Sequence, residues 1–120
     1  MLNAGKPDHD TLIRASYAAF NAGDMEAAAA CLAPDVVWPN QLDGGTINGR
    51  EAVVAYWKRL AQVHRHQYEV IQCKEDVPGI VKVSLVRTVE DLAGTVLSKG
   101  LLHHCYTFRD GLVVHMEFVI

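Results

Sequence analysis

The first part of the chain has the hydrophobic spacing of a helix. Ile13, Tyr17 and Phe20 follow one another at intervals of four and three residues, which places them on one helical face. Asp10 has the right position to cap a helix that begins at Thr11, because its carboxylate can accept a hydrogen bond from the first turn. The pattern therefore predicts an amphipathic first helix.

A second helix is predicted directly after Gly23, in a run that is rich in alanine. Asp24 has the position of its N-cap, and Pro34 is expected to end it, because proline cannot continue a helix. The apolar positions of this helix are Met25, Ala28 and Leu32.

The next segment changes from β-prone to helical. Asp35–Trp38 favours a short strand closed by Pro39 and Asn40, and the sequence QLDGGTING after it predicts a loop or a hairpin. Asn48 and Glu51 have the spacing of a capping box at the start of a third helix. The stripe along this helix contains Val53, Trp57, Leu60 and His64.

From Gln67 onward the pattern favours strands. The predicted strands are Tyr68–Asp76, Ile80–Glu90, Val96–Phe108 and Leu112–Ile120. The predicted turns between them are Pro78-Gly79, Asp91–Gly94 and Asp110-Gly111. Helices followed by an antiparallel meander predict an α+β fold in which the helices cover one face of a curved sheet.

The composition is that of an ordinary soluble domain. The 120 residues are 50% hydrophobic and 21% charged, with a formal net charge of −3, so we expect a single domain over residues 1–120. The basic residues are scattered among acidic ones, which argues against a nucleic-acid partner. No apolar run approaches the roughly 20 residues of a membrane span. The N-terminus MLNAGKPDHD lacks the apolar core of a signal peptide, so we expect a cytoplasmic protein without a membrane partner.

The spacing of cysteine and histidine indicates neither a metal site nor a cofactor. The three cysteines are odd in number and far apart, which predicts free thiols. His64 and His66 do not share a helix face, and no zinc-binding spacing is present. Gly44-Gly45 lacks the strand–loop–helix context of a phosphate-binding loop, so no nucleotide cofactor is expected.

Three segments of the chain, taken in order, resemble one known family. They are YAAFNAGDMEAAAACLAPDVVW, GREAVVAYW and HHCYTFRDGLVVHM. The chain is similar here to the nuclear transport factor 2-like superfamily, in particular to its SnoaL-like and ketosteroid isomerase-like branch. The resemblance implies a cone-shaped, strongly curved antiparallel sheet around three helices, in the order α-α-β-α-β-β-β-β, with a pocket inside. It also implies a homodimer, which fits a predicted apolar outer face at Ile71, Cys73, Val86 and Cys105.

The resemblance does not extend to the isomerase mechanism. Ketosteroid isomerases use an aspartate as the general base, and a tyrosine with a protonated aspartic acid as the oxyanion site. In this chain the tyrosine position falls on Ser16, with Tyr17 one residue out of register. The general base falls on Asn40 and the protonated aspartic acid on His104. Because an amide cannot accept a proton from carbon, a standard isomerase reaction is not expected.

Strand alternation predicts which side chains face the implied pocket. If His104 faces inward, the residues on its side are Leu102, Tyr106 and Phe108, and those on the other side are His103, Cys105 and Thr107. On the neighbouring strand, Lys82 and Ser84 are predicted outward, which leaves Val83, Leu85 and Arg87 inward. We therefore predict His104 as a catalytic acid–base residue with a near-neutral pKa. The predicted ligand-binding residues are Tyr17, Trp38, Asn40, Tyr56, Trp57, Arg87, Leu102, Tyr106 and Met116.

Several of these residues have a plainer interpretation. His104 can be a core histidine that is hydrogen-bonded to Tyr106 or to a backbone carbonyl, and the two tryptophans can be core packing. Arg87 can be a strand-end residue whose head group reaches water. Asn40 can simply form a turn.

Three functions fit this pattern. The first is an enzyme of the isomerase, cyclase or hydratase type that acts on a hydrophobic, oxygen-bearing molecule through His104. The second is a non-catalytic protein that binds such a molecule in the same pocket. The third is a dimeric interaction module whose own side chains fill the pocket, since a shared fold does not assign an activity.

Overall fold

The computed structural model describes residues 8–119, which form three helices and six strands. The helices are α1 (His9–Asn21), α2 (Met25–Ala28) and α3 (Arg50–Ala61), and a 3-10 turn covers Ala29–Cys31. The strands are β1 (Leu32–Pro39), β2 (Thr46–Asn48), β3 (Arg65–Val77), β4 (Ile80–Glu90), β5 (Val96–Arg109) and β6 (Leu112–Val119). Residues 1–7, most of the segment in which a signal peptide was sought, lie outside these residues. Ile120, the predicted end of the last strand, also lies outside them. None of the described helices has the length and hydropathy to cross a membrane.

The strands form one curved, open sheet in the order β2-β1-β6-β5-β4-β3. Strands β3 to β6 form the antiparallel meander that the sequence predicts. Strand β1 pairs antiparallel with β2 but parallel with β6, so the sheet is mixed and not wholly antiparallel as expected. A parallel pair needs a long connection, which α3 and the meander supply. The predicted α+β class is confirmed.

The helices cover one face of the sheet and enclose the hydrophobic core. Helix α1 packs on β3, and α3 packs on β1. Each large side chain buried here contributes about 1.5–3 kcal/mol of transfer free energy, so this face holds helices and sheet together. The largest fully buried side chains are Ile13, Leu32, Val36, Val53, Val81, Val83, Leu85, Val113 and Met116.

Helix α1 begins two residues before its predicted start, and its cap moves with it. Asp8, not Asp10, caps the helix: its side chain accepts a hydrogen bond from the Thr11 N–H at 2.8 Å. Asp10 lies inside the first turn and forms an ion pair with Arg14, four residues later. Asp24 caps α2 as predicted, by accepting a backbone hydrogen bond from the first turn.

Pro34 lies within strand β1 and does not end a helix. Helix α2 is shorter than predicted, and Leu32, expected on its apolar face, begins the strand. The register between β1 and β6 shifts between Leu32 and Val37. Such an irregular stretch does not require a donor from every residue, so it tolerates a proline, which has no N–H.

Helix α3 lacks the predicted capping box. Asn48 is the last residue of β2 and pairs with Val37, so its side chain is one position too early to cap the helix. Gly49 takes the N-cap position with a φ of 99°, which favours glycine. Its N–H donates to the Val36 carbonyl at 2.7 Å. The hairpin of β1 and β2 therefore delivers the chain directly into α3.

The turns of the meander form where the sequence predicts them. Pro78-Gly79 joins β3 to β4, and Asp110-Gly111 joins β5 to β6. Asp110 and Gly111 both have positive φ, 55° and 81°, as a two-residue type I′ hairpin requires. Asp91 organises the remaining turn by accepting two backbone hydrogen bonds at its carboxylate.

Asn21 fastens the end of α1 to the edge strand β3. Its Nδ2 donates to the Tyr68 carbonyl at 2.7 Å, and its Oδ1 accepts from the Tyr68 N–H at 2.8 Å. The side-chain amide therefore satisfies both backbone groups of one residue, as a neighbouring strand would. This contact fixes α1 relative to Tyr68.

We predict that Asn21→Ala lowers the free energy of unfolding by about 2 kcal/mol, because two hydrogen bonds of about 1 kcal/mol each are lost. Urea unfolding followed by circular dichroism measures this change. Gln72→Ala is the control, since Gln72 lies exposed on the same strand, and we expect a change within about 0.5 kcal/mol. Equal losses in the two variants would contradict the role given to Asn21.

Candidate functional site

Strands β4 and β5 present alternate side chains to the core, as predicted. On β5, His104, Tyr106 and Phe108 are buried, and Leu102 is half-buried. On β4, Val83 and Leu85 are fully buried and Arg87 is half-buried, whereas Lys82 is exposed. His103 faces the other side, where its Nδ1 lies 3.0 Å from the Ser84 hydroxyl.

Two cysteines make the outer face of the sheet less apolar than expected. Cys73 packs against the core and not outward, because it pairs with the fully buried Val83. Cys105 pairs with Lys82 and Glu117 on the outer face. It is only 8% exposed, since long polar neighbours flank it. All three cysteines are free thiols, as predicted.

A buried chain of three polar side chains joins α1 to β5. The Tyr17 hydroxyl lies 2.6 Å from Nδ1 of His104 and 2.5 Å from the Tyr106 hydroxyl. Tyr17, His104 and Tyr106 are 7%, 3% and 4% exposed. In a region of such low dielectric constant, each hydrogen bond of the chain strengthens the next. The two tyrosines therefore hold the imidazole in one orientation.

The hydrogen-bond chain also determines the tautomer of His104. If the Tyr106 hydroxyl donates to Tyr17 and Tyr17 donates to Nδ1, both hydroxyl protons are used and the ring proton is on Nε2. In the reverse direction two groups lack a partner among residues 8–119, the Tyr106 proton and the unprotonated Nε2 atom of His104, whereas the first direction leaves only Nε2–H unpaired. Each buried polar group without a partner costs about 1–3 kcal/mol. We infer the first arrangement, in which His104 is the Nε2–H tautomer.

Burial keeps all three side chains uncharged. Burial, together with the smaller effects of Arg87 and His103, lowers the pKa of His104 to about 3. Burial also raises the pKa of Tyr17 and of Tyr106 well above the ordinary tyrosine value. The near-neutral pKa predicted for His104 is therefore wrong, because burial disfavours the charged imidazolium. At physiological pH the ring is neutral and acts through its hydrogen bonds.

The Nε2 atom of His104 is a buried polar atom with no protein partner within residues 8–119. The ring lines a small cavity of about 40 Å³, which has room for a few water molecules at most. The predicted site residues in its walls are Tyr17, Trp38, Tyr56, Trp57, His104, Tyr106 and Met116. The structure thus brings most of the predicted site together.

Five further residues line the cavity and were not among the predicted site residues. They are Ser16, Phe20, Gln41, Tyr68 and Phe118. Phe20 lies on the same predicted helix face as Tyr17, and Phe118 alternates with Met116, so a sequence signal existed for both. The resemblance also indicated Ser16, since the tyrosine position of the isomerases falls on it, whereas Gln41 carries no comparable signal.

Asn40, Arg87 and Leu102 are predicted site residues that do not line the cavity. The Asn40 side-chain oxygen accepts two backbone hydrogen bonds of 3.0 Å from the residues that follow, which is the turn role of the plainer interpretation. Leu102 packs against the edge of the core. Arg87 lies beside Tyr68, its pairing partner on β3.

Tyr17, and not Ser16, occupies the place beside His104. The Ser16 hydroxyl donates instead to the Ala28 carbonyl at 2.7 Å. Neighbouring positions on a helix differ by about 100°, so the rotation of α1 decides which of the two reaches β5. Burial of Ile13 on the same face fixes that rotation toward Tyr17.

The cavity contains no carboxylate among its described lining residues. A carboxylate base for removing a proton from carbon is therefore missing from these walls. Within residues 8–119, no three His, Cys, Asp or Glu side chains form a group that could hold a metal ion.

Phe20 lines both this cavity and a larger cleft of about 280 Å³. Its ring packs edge-on against Trp57 and Tyr68, with centroids 5.6 and 5.5 Å apart. The described residues of the cleft include no carboxylate. Its basic and titratable side chains are His64, Arg65 and His66.

A family model described as the SnoaL-like domain matches residues 13–116. This range includes every residue of the buried hydrogen-bond chain and most of the cavity wall. A comparison with curated proteins found no significant match.

Solved structures with the same fold include TerC, co-crystallised with polyporic acid, which is 28% identical with a TM-score of 0.80 over 92% of this chain and 89% of TerC. An NTF2-like protein of unknown function from Burkholderia pseudomallei is 25% identical, with a TM-score of 0.80 over 92% of this chain and 88% of its own. A proposed polyketide cyclase from Xanthomonas campestris is 26% identical, with a TM-score of 0.77 over 91% and 87% of the two chains. These similarities confirm the fold that the sequence segments implied.

We predict that His104 stays neutral, as the Nε2–H tautomer, down to about pH 4. Its pKa is lower in the folded than in the unfolded state, so the unfolded chain binds more protons between about pH 3 and 6.5. Stability therefore falls as the pH falls through this range, by up to about 1.4 kcal/mol per pH unit from this group. Long-range ¹H–¹⁵N correlation spectra identify the tautomer, and urea unfolding of the wild type and His104→Phe at pH 4 to 7 compares the slopes. A His104 signal that titrates near pH 6.5 would contradict the prediction.

Proposed function

Because the chain belongs to the SnoaL-like domain family, we propose that it binds a small hydrophobic molecule that carries an oxygen acceptor. In this proposal the molecule occupies the aromatic cavity, and its oxygen accepts a hydrogen bond from Nε2–H of His104. The co-crystallisation of TerC, a 28% identical protein, with polyporic acid supports a small-molecule function for this chain.

The buried Nε2 atom of His104 carries the proposal. Leaving a buried donor without a partner costs about 1–3 kcal/mol, and the tyrosines that could satisfy it are already bonded on the Nδ1 side. A carbonyl, ether or hydroxyl oxygen supplies the missing acceptor. The apolar and aromatic walls favour a ligand whose remaining surface is hydrophobic, as in most small-molecule sites.

A ligand of ordinary size needs more room than the cavity provides. Small-molecule sites commonly enclose about 300–1,000 Å³, against about 40 Å³ here. Phe20 is only half-buried and lines both the cavity and the cleft of about 280 Å³. In our proposal, rotation of its side chain joins the two spaces, which together reach the lower end of the usual range.

A catalytic role for His104 is the second candidate. The neutral Nε2–H lies beside Tyr17, and the resemblance places a hydrogen-bond donor of the isomerases at this position. In such a reaction His104 stabilises a developing oxyanion by donating a hydrogen bond and does not transfer a proton, because its pKa is too low. A base would have to come from the substrate or from water.

We further propose that the protein is a homodimer, and we expect it in the cytoplasm. Leu101 and Ile71 are 64% and 53% exposed, and Val86 between their strands is half-buried. Leu101 and Val86 are direct partners on β5 and β4. An apolar surface of this kind is more stable when it is covered by a second copy.

Benzophenone and diphenylmethane test the binding proposal, because they differ only in a carbonyl that replaces a methylene. We predict that the wild type binds benzophenone about tenfold more tightly, the equivalent of roughly 1.4 kcal/mol for one buried hydrogen bond. His104→Phe should bind both compounds equally. Isothermal titration calorimetry gives both affinities, and quenching of the two tryptophans, which both line the cavity, locates the site.

His103→Phe is the matched control, because it makes the same substitution on the opposite face of β5. It should retain the preference for benzophenone. If the wild type binds neither compound, the side chains of the cavity fill it permanently and the binding proposal is wrong. If both bind with equal affinity, the cavity is used but the role of Nε2–H is wrong.

For the dimer, we predict that Leu101→Glu shifts the protein to a monomer, because a buried carboxylate without a partner is unfavourable. Sedimentation velocity at micromolar concentration measures the state. Val63→Glu introduces the same charge at an apolar position that is 58% exposed just after α3, and it should leave the dimer intact. A wild type that is monomeric at this concentration would refute the proposal.

A further inference from the structure

Arg87 brings a positive charge to the inner side of the sheet. On β4 it alternates with the buried Leu85 and Val89, which face the core. Its pairing partner on β3 is Tyr68, which lines the cavity. The side chain is only half-buried, so the guanidinium is at the edge of the aromatic interior and not at its centre.

No carboxylate within residues 8–119 lies close enough to form an ion pair with Arg87. The nearest acids along the two paired strands are Glu69 and Glu90, and strand alternation puts both on the opposite face from Arg87. The titratable groups on its own side are His66, Tyr68 and His104. Burial is the main cause of the lowered pKa of both histidines, and Arg87 lowers it further. Arg87 opposes the rise in the pKa of Tyr68 that burial causes.

The strand on the other side of Arg87 leaves open space at the position paired with it. Gly100 on β5 is its direct partner there, and a Cβ atom added at Gly100 would meet no atom within 4 Å. Any larger residue would place a side chain next to Arg87 on the same face. Arg87 is therefore paired with a tyrosine on one strand and with an unfilled position on the other.

From this placement we propose that Arg87 binds a carboxylate of the ligand, so that the natural ligand is an aromatic or alicyclic acid. This inference rests on the proposed function and specifies its ligand class. The planar guanidinium matches a carboxylate in two parallel hydrogen bonds, which a lysine cannot form. The ligand oxygen bound to His104 is then a second, uncharged group at the other end of the molecule.

The neighbouring contacts connect this anion site to the cavity. Tyr68 is the shared residue: its ring lies 5.9 Å from His104 and 5.5 Å from Phe20 between centroids. His66, two residues earlier on the same strand face, lines the cleft beyond Phe20. A molecule that displaces Phe20 therefore passes basic and aromatic groups, with no described carboxylate in the cleft to repel it.

The test compares 4-benzoylbenzoate with 4-benzoylbenzamide, which share a ketone and two rings but differ in charge. The wild type should bind the acid at least about tenfold more tightly than the amide, and this ratio should fall as salt is added. In Arg87→Gln the ratio should approach one. Arg87→Lys should keep part of the preference, because the charge remains and the paired hydrogen bonds do not.

Arg109→Gln is the control, since it removes the same charge from an exposed side chain that pairs with Asp35. It should leave the ratio unchanged, and unfolding curves verify that each variant is folded. Equal affinity of the wild type for acid and amide would overturn the inference, as would an unchanged ratio in Arg87→Gln and Arg87→Lys. If benzophenone binds in a His104-dependent manner and the acid is not preferred, only the role of Arg87 fails. If the wild type binds none of the compounds, the proposed function fails first.

Discussion

The buried hydrogen-bond chain from Tyr106 through Tyr17 to His104 is the interaction on which the rest of the site depends. It joins Tyr17 to two residues that follow it by 87 and 89 positions in the sequence, and so connects the helix layer to the inner face of the sheet. Tyr17 has one hydroxyl, and that hydroxyl serves both partners, so the rotation of α1 and the positions of two rings on β5 are fixed together. The same rotation places Phe20 in the cavity wall. Helix packing, hydrogen bonding and the shape of the cavity are thus linked through one contact.

This arrangement satisfies one side of the imidazole completely and leaves the other side without a protein partner. A fully satisfied buried network stabilises a unique core, whereas a partly satisfied one loses stability. A ligand oxygen or a water at Nε2 would complete the network, and whatever binds the folded state in this way also stabilises it. The unpaired Nε2–H donor of His104 therefore links the stability of the fold to occupation of the cavity.

Periodicity gave the inner face of β5 correctly, because a strand alternates its side chains whatever the tertiary context. The short turns were also predictable, since Asp110-Gly111 adopts positive φ at both positions. The rotation of α1 was not predictable from the sequence. Ser16 and Tyr17 are adjacent, and burial of Ile13 decides which of the two faces β5. The protonation of His104 was equally out of reach, because its pKa depends on burial by α1 and β3, which lie far away in sequence. The parallel pairing of β1 with β6 likewise follows from the three-dimensional closure of the sheet and from no local pattern.

The distribution of charge determines how a ligand would be oriented in the proposed site. The deep end contains neutral tyrosines and a histidine that burial keeps uncharged, and no described lining residue there carries a formal charge. Arg87, whose side chain is half-buried, lies at the edge of the interior. Transferring a carboxylate from water to an apolar interior is far more costly than transferring a carbonyl, so an acidic ligand cannot enter with its carboxylate first. Its neutral oxygen must go to His104 while the carboxylate stays with Arg87 at the edge. Even without a catalytic base in the wall, the distribution of charge thus specifies which end of a bound acid is held next to the unpaired Nε2 atom of His104.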